Sequence, residues 1–278
     1  MARGPLTPEQ VTAFHEDGFV ILRGFYDAEE VALLLKTAKA DQVLRHKEIG
    51  LKDTSGRSSK LTLWYHPGDD IYGMFTRCAR QVGACEQLLG GEVHHFHSKM
   101  MLKEPRVGGA WEWHQDYGYW YSDGFLFPDL LSCLVAVDRA TRANGCIQML
   151  KGSHKLGRIE HGRFGEQTGA DPERVRAALN IMELVHCECE PGDTVIFHGN
   201  TLHCSGPNES AHARWSLISC YNKASNVQYK DSHHPRCTPV QIVPDAAIKE
   251  AGARGLDTHA AFLQISTAQE ATAQTTNR

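Results

Sequence analysis

Trp113-His114-Gln115-Asp116 sets an imidazole and a carboxylate two residues apart, and a second imidazole, His203, follows 87 residues after Asp116. On an extended segment successive side chains alternate faces, so His114 and Asp116 project to the same side. Two imidazoles and one carboxylate, one of them delivered from far along the chain, form the facial ligand set of a non-haem Fe(II) centre. Three metal positions stay open in that set, enough for a bidentate co-substrate and dioxygen. Arg214 opens the next segment, RWSLISCY. Its planar guanidinium suits a bidentate grip on a carboxylate, such as the distal one of 2-oxoglutarate. Ser205, two residues past His203, offers a hydroxyl to the same group. Fe(II) with one Asp ligand retains one positive charge and Arg214 adds another, which suits the dianion. A His-x-Asp pair alone is ordinary decoration of a core or surface; the weight lies in the whole set and its order.

The elements around these residues have to aim them. Pro191-Gly192-Asp193 makes a turn and Thr194-Val195-Ile196-Phe197 is the strand leaving it, so His203 falls near a strand end facing a barrel mouth. Short apolar or alternating runs recur from Val93 onward, at 93–102, 110–116, 130–138, 146–150, 184–189, 194–198 and 214–221. Strands at that spacing predict an antiparallel sandwich or barrel. Helix signals gather before it. Thr7-Pro8-Glu9-Gln10 is a capping box closed off at Gly18, Phe19 to Leu22 is a short strand, and Asp27-Ala28-Glu29-Glu30 caps a second helix. Residues 48–60 read as a polar loop, 70–89 as one helix, and Asp171-Pro172 as the start of an inserted helix reaching about Asn180. Residues 1–278 are expected to form a single domain, ending in a loosely ordered tail over about 264–278.

Composition narrows the function classes. Hydrophobic residues at 41% supply a substantial core, and a formal charge of −4 argues against a nucleic-acid binder. No apolar run is long enough for a membrane span, and MARGPLTPEQ has no apolar h-region. Nine cysteines, an odd number spread from Cys78 to Cys237 without CxxC spacing, indicate reduced thiols in a cytoplasmic protein. A monomer or homodimer acting on a small molecule is expected.

Four stretches then carry a specific resemblance: WEWHQDYGYWY at 111–121, NGCIQMLKGSHKLG at 144–157, PGDTVIFHGNTLHCSGPN at 191–208 and RWSLISCYN at 214–222. Over about Thr7 to Asn222 the chain resembles the phytanoyl-CoA dioxygenase family of Fe(II)/2-oxoglutarate oxygenases, which includes ectoine-hydroxylase-like small-molecule hydroxylases. The resemblance implies a mainly β fold, a distorted double-stranded β-helix or cupin-like jelly roll with flanking α-helices. By position it implies that His114, Asp116 and His203 bind iron and that Arg214 and Ser205 hold the far carboxylate of 2-oxoglutarate. It further implies hydroxylation of an aliphatic carbon with formation of succinate and CO2. Because Asp116 fills the position that related halogenases leave to a small residue, hydroxylation is favoured over halogenation, with desaturation or cyclisation as alternative outcomes.

The remaining pocket contacts are less defined. Alternation along HHFHSKMML puts His97, Lys99 and Met101 on one face, and in related enzymes that strand lines the pocket. Lys99 is thus a candidate for a co-substrate or substrate carboxylate. Tyr117, Tyr119, Trp120 and Tyr121 form an aromatic segment able to wall the pocket, with Tyr117 and Trp120 as substrate candidates, and Lys60 and Trp64 are candidates from the upstream loop. Without a basic cluster for a coenzyme A phosphate, a small polar or amino-acid-like metabolite is expected. Two other classes fit less well. A zinc hydrolase has no use for Arg214 and Ser205, and a non-catalytic jelly-roll binding protein has no use for the complete metal set.

Overall fold

The structure, a computed structural model, describes residues 4–256; the expected tail at 264–278 lies outside them. Helix α1 (Pro8–Asp17) starts on the Thr7–Gln10 capping box and stops at Gly18, whose φ of 86° is left-handed. A Cβ there would sit 2.5 Å from His154 Nδ1, so the position takes glycine on both counts. Strand β1 (Phe19–Leu22) follows, then α2 (Ala28–Ala40), capped by Asp27 with Glu30 reaching back, and α3 (Gln42–His46).

Two expectations for the next stretch are corrected. Residues 48–60 hold a hairpin, β2 (Ile49–Lys52) and β3 (Ser58–Trp64), where a loop was expected. Its turn is knotted by Asp53, whose Oδ1 accepts from Ser55 N, Ser55 Oγ and Arg57 N. Its polarity misleads because β2 is an edge strand with few apolar positions, while the pairing that makes β3 a strand comes from its long neighbour. The single helix at 70–89 is two, α4 (Ile71–Arg77) and α5 (Ala79–Leu89), parted at Cys78, which is extended at φ −61° and ψ 144°.

The β region begins with β4 (Val93–Lys103) and β5 (Trp111–His114). A short helix α6 (Asp116–Trp120) precedes β6 (Leu130–Ala136) and β7 (Ile147–Leu150). A hairpin of β8 (His161–Phe164) and β9 (Gln167–Ala170), not foreseen, leads to α7 (Pro172–Ile181). Then come β10 (Leu184–His186), β11 (Thr194–His198), β12 (His203–Ser205), β13 (Arg214–Lys223), β14 (Thr238–Pro239) and α8 (Ala247–Arg254).

Antiparallel pairing arranges a large sheet in the order β1-β11-β6-β13-β4-β3-β2, with β14 on β4, and a smaller sheet in the order β10-β7-β12-β5. Together they form the expected jelly-roll architecture, with α1 to α5 and α8 packed outside the large sheet and α7 against the small one. Alternation sorts the large sheet's side chains. Leu61, Leu63, Met101, Leu134, Phe197 and Ile218 join the core between the sheets. Trp64, Met100, Leu102, Trp215 and Leu217 pack on the other face with Leu34, Phe75 and Ile248 from α2, α4 and α8. All nine cysteines are free, eight of them buried, and no described helix is long and apolar enough to cross a membrane.

Burial also makes this fold sensitive to acid. Desolvation pushes His95 and His234 down to about 3 and His198 to about 4. Unfolded histidines titrate near 6.5, so below that pH the unfolded chain takes up protons that the folded chain refuses. Stability conferred by the neutral rings is therefore full above about pH 6.5 and is lost as pH falls toward 4. At pH 5 each site costs about 2 kcal/mol, and three together approach the whole stability of an ordinary domain. Denaturant titrations at stepped pH should show that decline; a flat profile from pH 7 to 4.5 would contradict it.

Candidate active site

β5 and β12 are neighbours in the small sheet, and their register sets His203 directly opposite His114. The extended alternation expected through Asp116 holds only in part. β5 ends at His114, Gln115 is still extended at φ −109° and ψ 132°, and Asp116 is already the first residue of α6. One extended residue is enough to keep both side chains on the cavity side. The ligand-capable atoms of His114, Asp116 and His203 lie within 4.8 Å of one another. Nε2 of His114 and of His203 stand 3.8 and 3.9 Å from Asp116 Oδ1.

The surroundings fix each of these groups. His114 Nδ1 donates to Glu112 O at 2.6 Å and His203 Nδ1 to Thr201 O at 2.9 Å. Because a carbonyl only accepts, the proton of each neutral ring is held on Nδ1 and the Nε2 lone pair faces inward. Burial and the nearby His203 push His114 well below the usual histidine range, and burial lowers His203 as well. Asp116 accepts from Tyr119 Oη on one oxygen and from Ser132 Oγ on the other, each at 2.8 Å. Its burial works to raise its pKa, but His203, Lys99, His114 and the Tyr119 hydroxyl outweigh that and hold it below the carboxylate range. Two neutral imidazoles with inward lone pairs and one anchored carboxylate fit a divalent iron ion.

Gln115 points away from the triad, as its alternation requires, and ties the segment down. Its Nε2 donates to Gly157 O and Asn200 O at 2.8 Å, and its Oε1 accepts from Ile159 N at 2.7 Å. The Asn200 contact joins the chain carrying His114 to the approach of His203. Gly118 is required close by, since a Cβ on it would fall 2.0 Å from the ring of His161, which accepts from Gln115 N at 2.9 Å.

The triad lines a cavity between the sheets, together with Lys99, Ser205, Arg214 and an apolar wall including Leu61, Leu134, Ile147, Phe197 and Ile218. Arg214 is buried, its Nε has no hydrogen-bond partner among the described residues, and burial brings its pKa down to about 10. Ser205 sits across from Trp111, which also lines the cavity.

Four other candidates lie outside this lining. Tyr117 is buried with its hydroxyl on Phe125 O, and Trp120 is wholly buried against Phe96 and His97. Both belong to α6, whose helical turn carries them away from the cavity. Trp64 packs beside Tyr72 on the helix side of the sheet, and Lys60, on the same face of β3, pairs with Glu48 at 3.0 Å. Leu61 reaches the cavity instead, as alternation along β3 requires.

Of the aromatic segment, Tyr119 does line the cavity, and its hydroxyl bond to Asp116, three residues back on α6 at the spacing that makes helical neighbours, is what a helical reading of the segment adds. One residue was missed. Lys103 is on the same face of β4 as Lys99, opposite Arg214 in register. Its buried Nζ donates to Gly109 O at 2.7 Å and also to Gly206 O.

A sequence model of the phytanoyl-CoA dioxygenase (PhyH) family matches residues 14–216. The chain belongs to this family. Membership and the triad geometry together make this PhyH chain a non-haem oxygenase that uses Fe(II) and 2-oxoglutarate. Among its relatives, L-proline trans-4-hydroxylase of Streptomyces griseoviridis is 31% identical over 197 residues, covering 65% of this chain and 72% of the relative. Ectoine dioxygenase of Bordetella parapertussis is 25% identical over 259 residues, covering 88% and 84%. The iron-bound crystal structure of EctD from S. alaskensis superposes with a TM-score of 0.72 at 24% identity, covering 88% of this chain and 90% of that one.

Proposed function

We propose that the protein hydroxylates an aliphatic carbon of a small, polar or amino-acid-like metabolite, converting 2-oxoglutarate to succinate and CO2. The observation that carries this reading is the triad itself, with both imidazoles presenting Nε2 inward and Asp116 occupying the third position. His114, Asp116 and His203 hold iron, and Arg214 with Ser205 takes the distal carboxylate of 2-oxoglutarate. When bound, the metal and co-substrate supply the oxidising power that turns a C–H bond into C–OH with dioxygen.

The chain supplies position and exclusion. Tyr119 and Ser132 hold both oxygens of Asp116, so the carboxylate does not swing out of the ligand face. Leu61, Leu134, Phe197 and Ile218 keep water from the reacting carbon and pack its hydrocarbon neighbours. An amino-acid-like substrate is supported by the proline hydroxylase relative, and a compact polar one by the ectoine dioxygenases. The reading extends to a single domain acting in the cytoplasm as a monomer or homodimer, without nucleic-acid or membrane partners, in keeping with a formal charge of −4.

The test is a screen of amino acids and small polar metabolites with Fe(II), 2-oxoglutarate and dioxygen. Substrate-stimulated succinate formation and a product heavier by one oxygen atom are expected. A chlorinated product, or no metal-dependent oxidation by protein that demonstrably binds iron and 2-oxoglutarate, would overturn the reading.

A further inference from the structure

Tyr119 lines the cavity, and its hydroxyl donates at 2.8 Å to Asp116 Oδ1. That oxygen is the one facing both ligand imidazoles, 3.8 Å from His114 Nε2 and 3.9 Å from His203 Nε2. Building on the oxygenase reading, we infer that Tyr119 is a site of self-hydroxylation. When no substrate fills the cavity, the protein oxidises a ring carbon beside the Tyr119 hydroxyl and turns the phenol into a catechol.

The step balances with the reactants of the ordinary reaction. A Cε–H bond of Tyr119 breaks and a C–O bond forms. One atom of dioxygen enters the ring as the new hydroxyl, which keeps the displaced hydrogen. The other enters succinate as 2-oxoglutarate is oxidised and loses CO2. Two electrons come from the C–H bond and two from 2-oxoglutarate, so no further reductant is needed.

Position is the first support. Tyr119 stands three residues from Asp116 on the same short helix, so ring and ligand are held on one side of it. The ring lies alongside that of His114, with centroids 6.0 Å apart and planes 26° apart. It meets Trp120 and His161 edge-on at 6.1 and 6.4 Å, which braces it in place. A substrate has to be bound before it can react, whereas this ring is always present beside the triad, with the advantage that fixed proximity gives.

Chemistry is the second support. Among the described residues, Tyr119 is the cavity-lining side chain that hydrogen-bonds to a triad member. Phe197 is a rival, since its ring centroid is 4.8 Å from that of His203. It carries no ring oxygen, whereas the phenol oxygen of Tyr119 enriches the two carbons beside it in electrons, where an electrophilic oxidant attacks. Leu61, Leu134 and Ile218 offer only saturated carbons. A bound substrate that takes the oxygen atom first spares the ring, so occupancy of the cavity protects Tyr119.

The test exposes the full chain, loaded with Fe(II) and 2-oxoglutarate, to heavy-isotope dioxygen without substrate. Catalase is present to remove the peroxide that would oxidise Met101 or Cys204 indiscriminately. Tandem mass spectrometry of the digested protein should find one heavy oxygen atom on Tyr119, accumulating with succinate, and none when 2-oxoglutarate is left out. Tyr119→Phe, checked for fold and iron content, should lower incorporation at this position by at least about tenfold, because the ring loses both its activating oxygen and its hold on Asp116. Label on Phe197, Trp111 or Met101 in place of Tyr119 would overturn the inference. So would labelling that does not depend on 2-oxoglutarate, or no labelled residue in protein that demonstrably binds Fe(II) and 2-oxoglutarate. Failure to bind Fe(II) or 2-oxoglutarate would instead strike the oxygenase reading, before dioxygen is admitted.

Discussion

Replacing His203 with Ala should cost the protein its iron and, with it, nearly all 2-oxoglutarate turnover. His203 supplies the triad member delivered from β12, and its Nε2 stands 3.9 Å from Asp116 Oδ1. Loss of an outer partner of a ligating histidine already costs 10–100-fold in metal affinity or activity, so loss of the ligand itself should exceed about 100-fold. Iron content after dialysis, measured beside a thermal melt, separates this from unfolding. A folded variant that keeps its iron would remove His203 from the centre.

Arg214→Met should weaken 2-oxoglutarate binding by about 30-fold to several thousandfold while leaving iron binding intact, as expected when a buried charge-assisted contact of about 2–5 kcal/mol is lost. The same variant carries a second, opposite expectation. In the absence of co-substrate the guanidinium is a buried charge with no ion-pair partner among the described residues, and burial lowers its pKa to about 10. Replacing such a charge with an apolar side chain of similar size is neutral or stabilising. The metal-loaded variant should therefore melt no lower than the unsubstituted protein without 2-oxoglutarate, and should gain less when 2-oxoglutarate is added. A variant that melts much lower yet binds 2-oxoglutarate normally would make Arg214 a structural residue.

Much of the fold and triad was legible because the signals were local. Thr7–Gln10 and Asp27–Glu30 are complete capping boxes, and β4, β5, β6, β7, β10, β11 and β13 each fall on an apolar or alternating run of their own. His114 and Asp116 share a face by spacing alone. What could not be read depended on partners. β3 is a strand because β4 pairs with it, and β9 matters because Gln167 bonds to both Glu112 N and Ala110 O along β5. Nothing within residues 48–60 or 161–170 announces those neighbours. The aromatic segment was legible only as a group. Which of its rings faces the cavity depends on α6, whose helical turn brings Tyr119 to Asp116 and carries Tyr117 and Trp120 into the core. Lys60 and Trp64 were lost to the other face of β3, and only the partner strand fixes which face that is.

The central claim, that this chain's triad and Arg214 build an iron- and 2-oxoglutarate-dependent centre, is tested most directly by anaerobic titration of the metal-free protein. Fe(II) should bind at one equivalent per chain, and 2-oxoglutarate should then bind at one equivalent only to the iron-loaded form. His203→Ala should abolish both events and Arg214→Met only the second. Equal 2-oxoglutarate binding with and without iron, or iron bound at one equivalent by His203→Ala, would contradict the account.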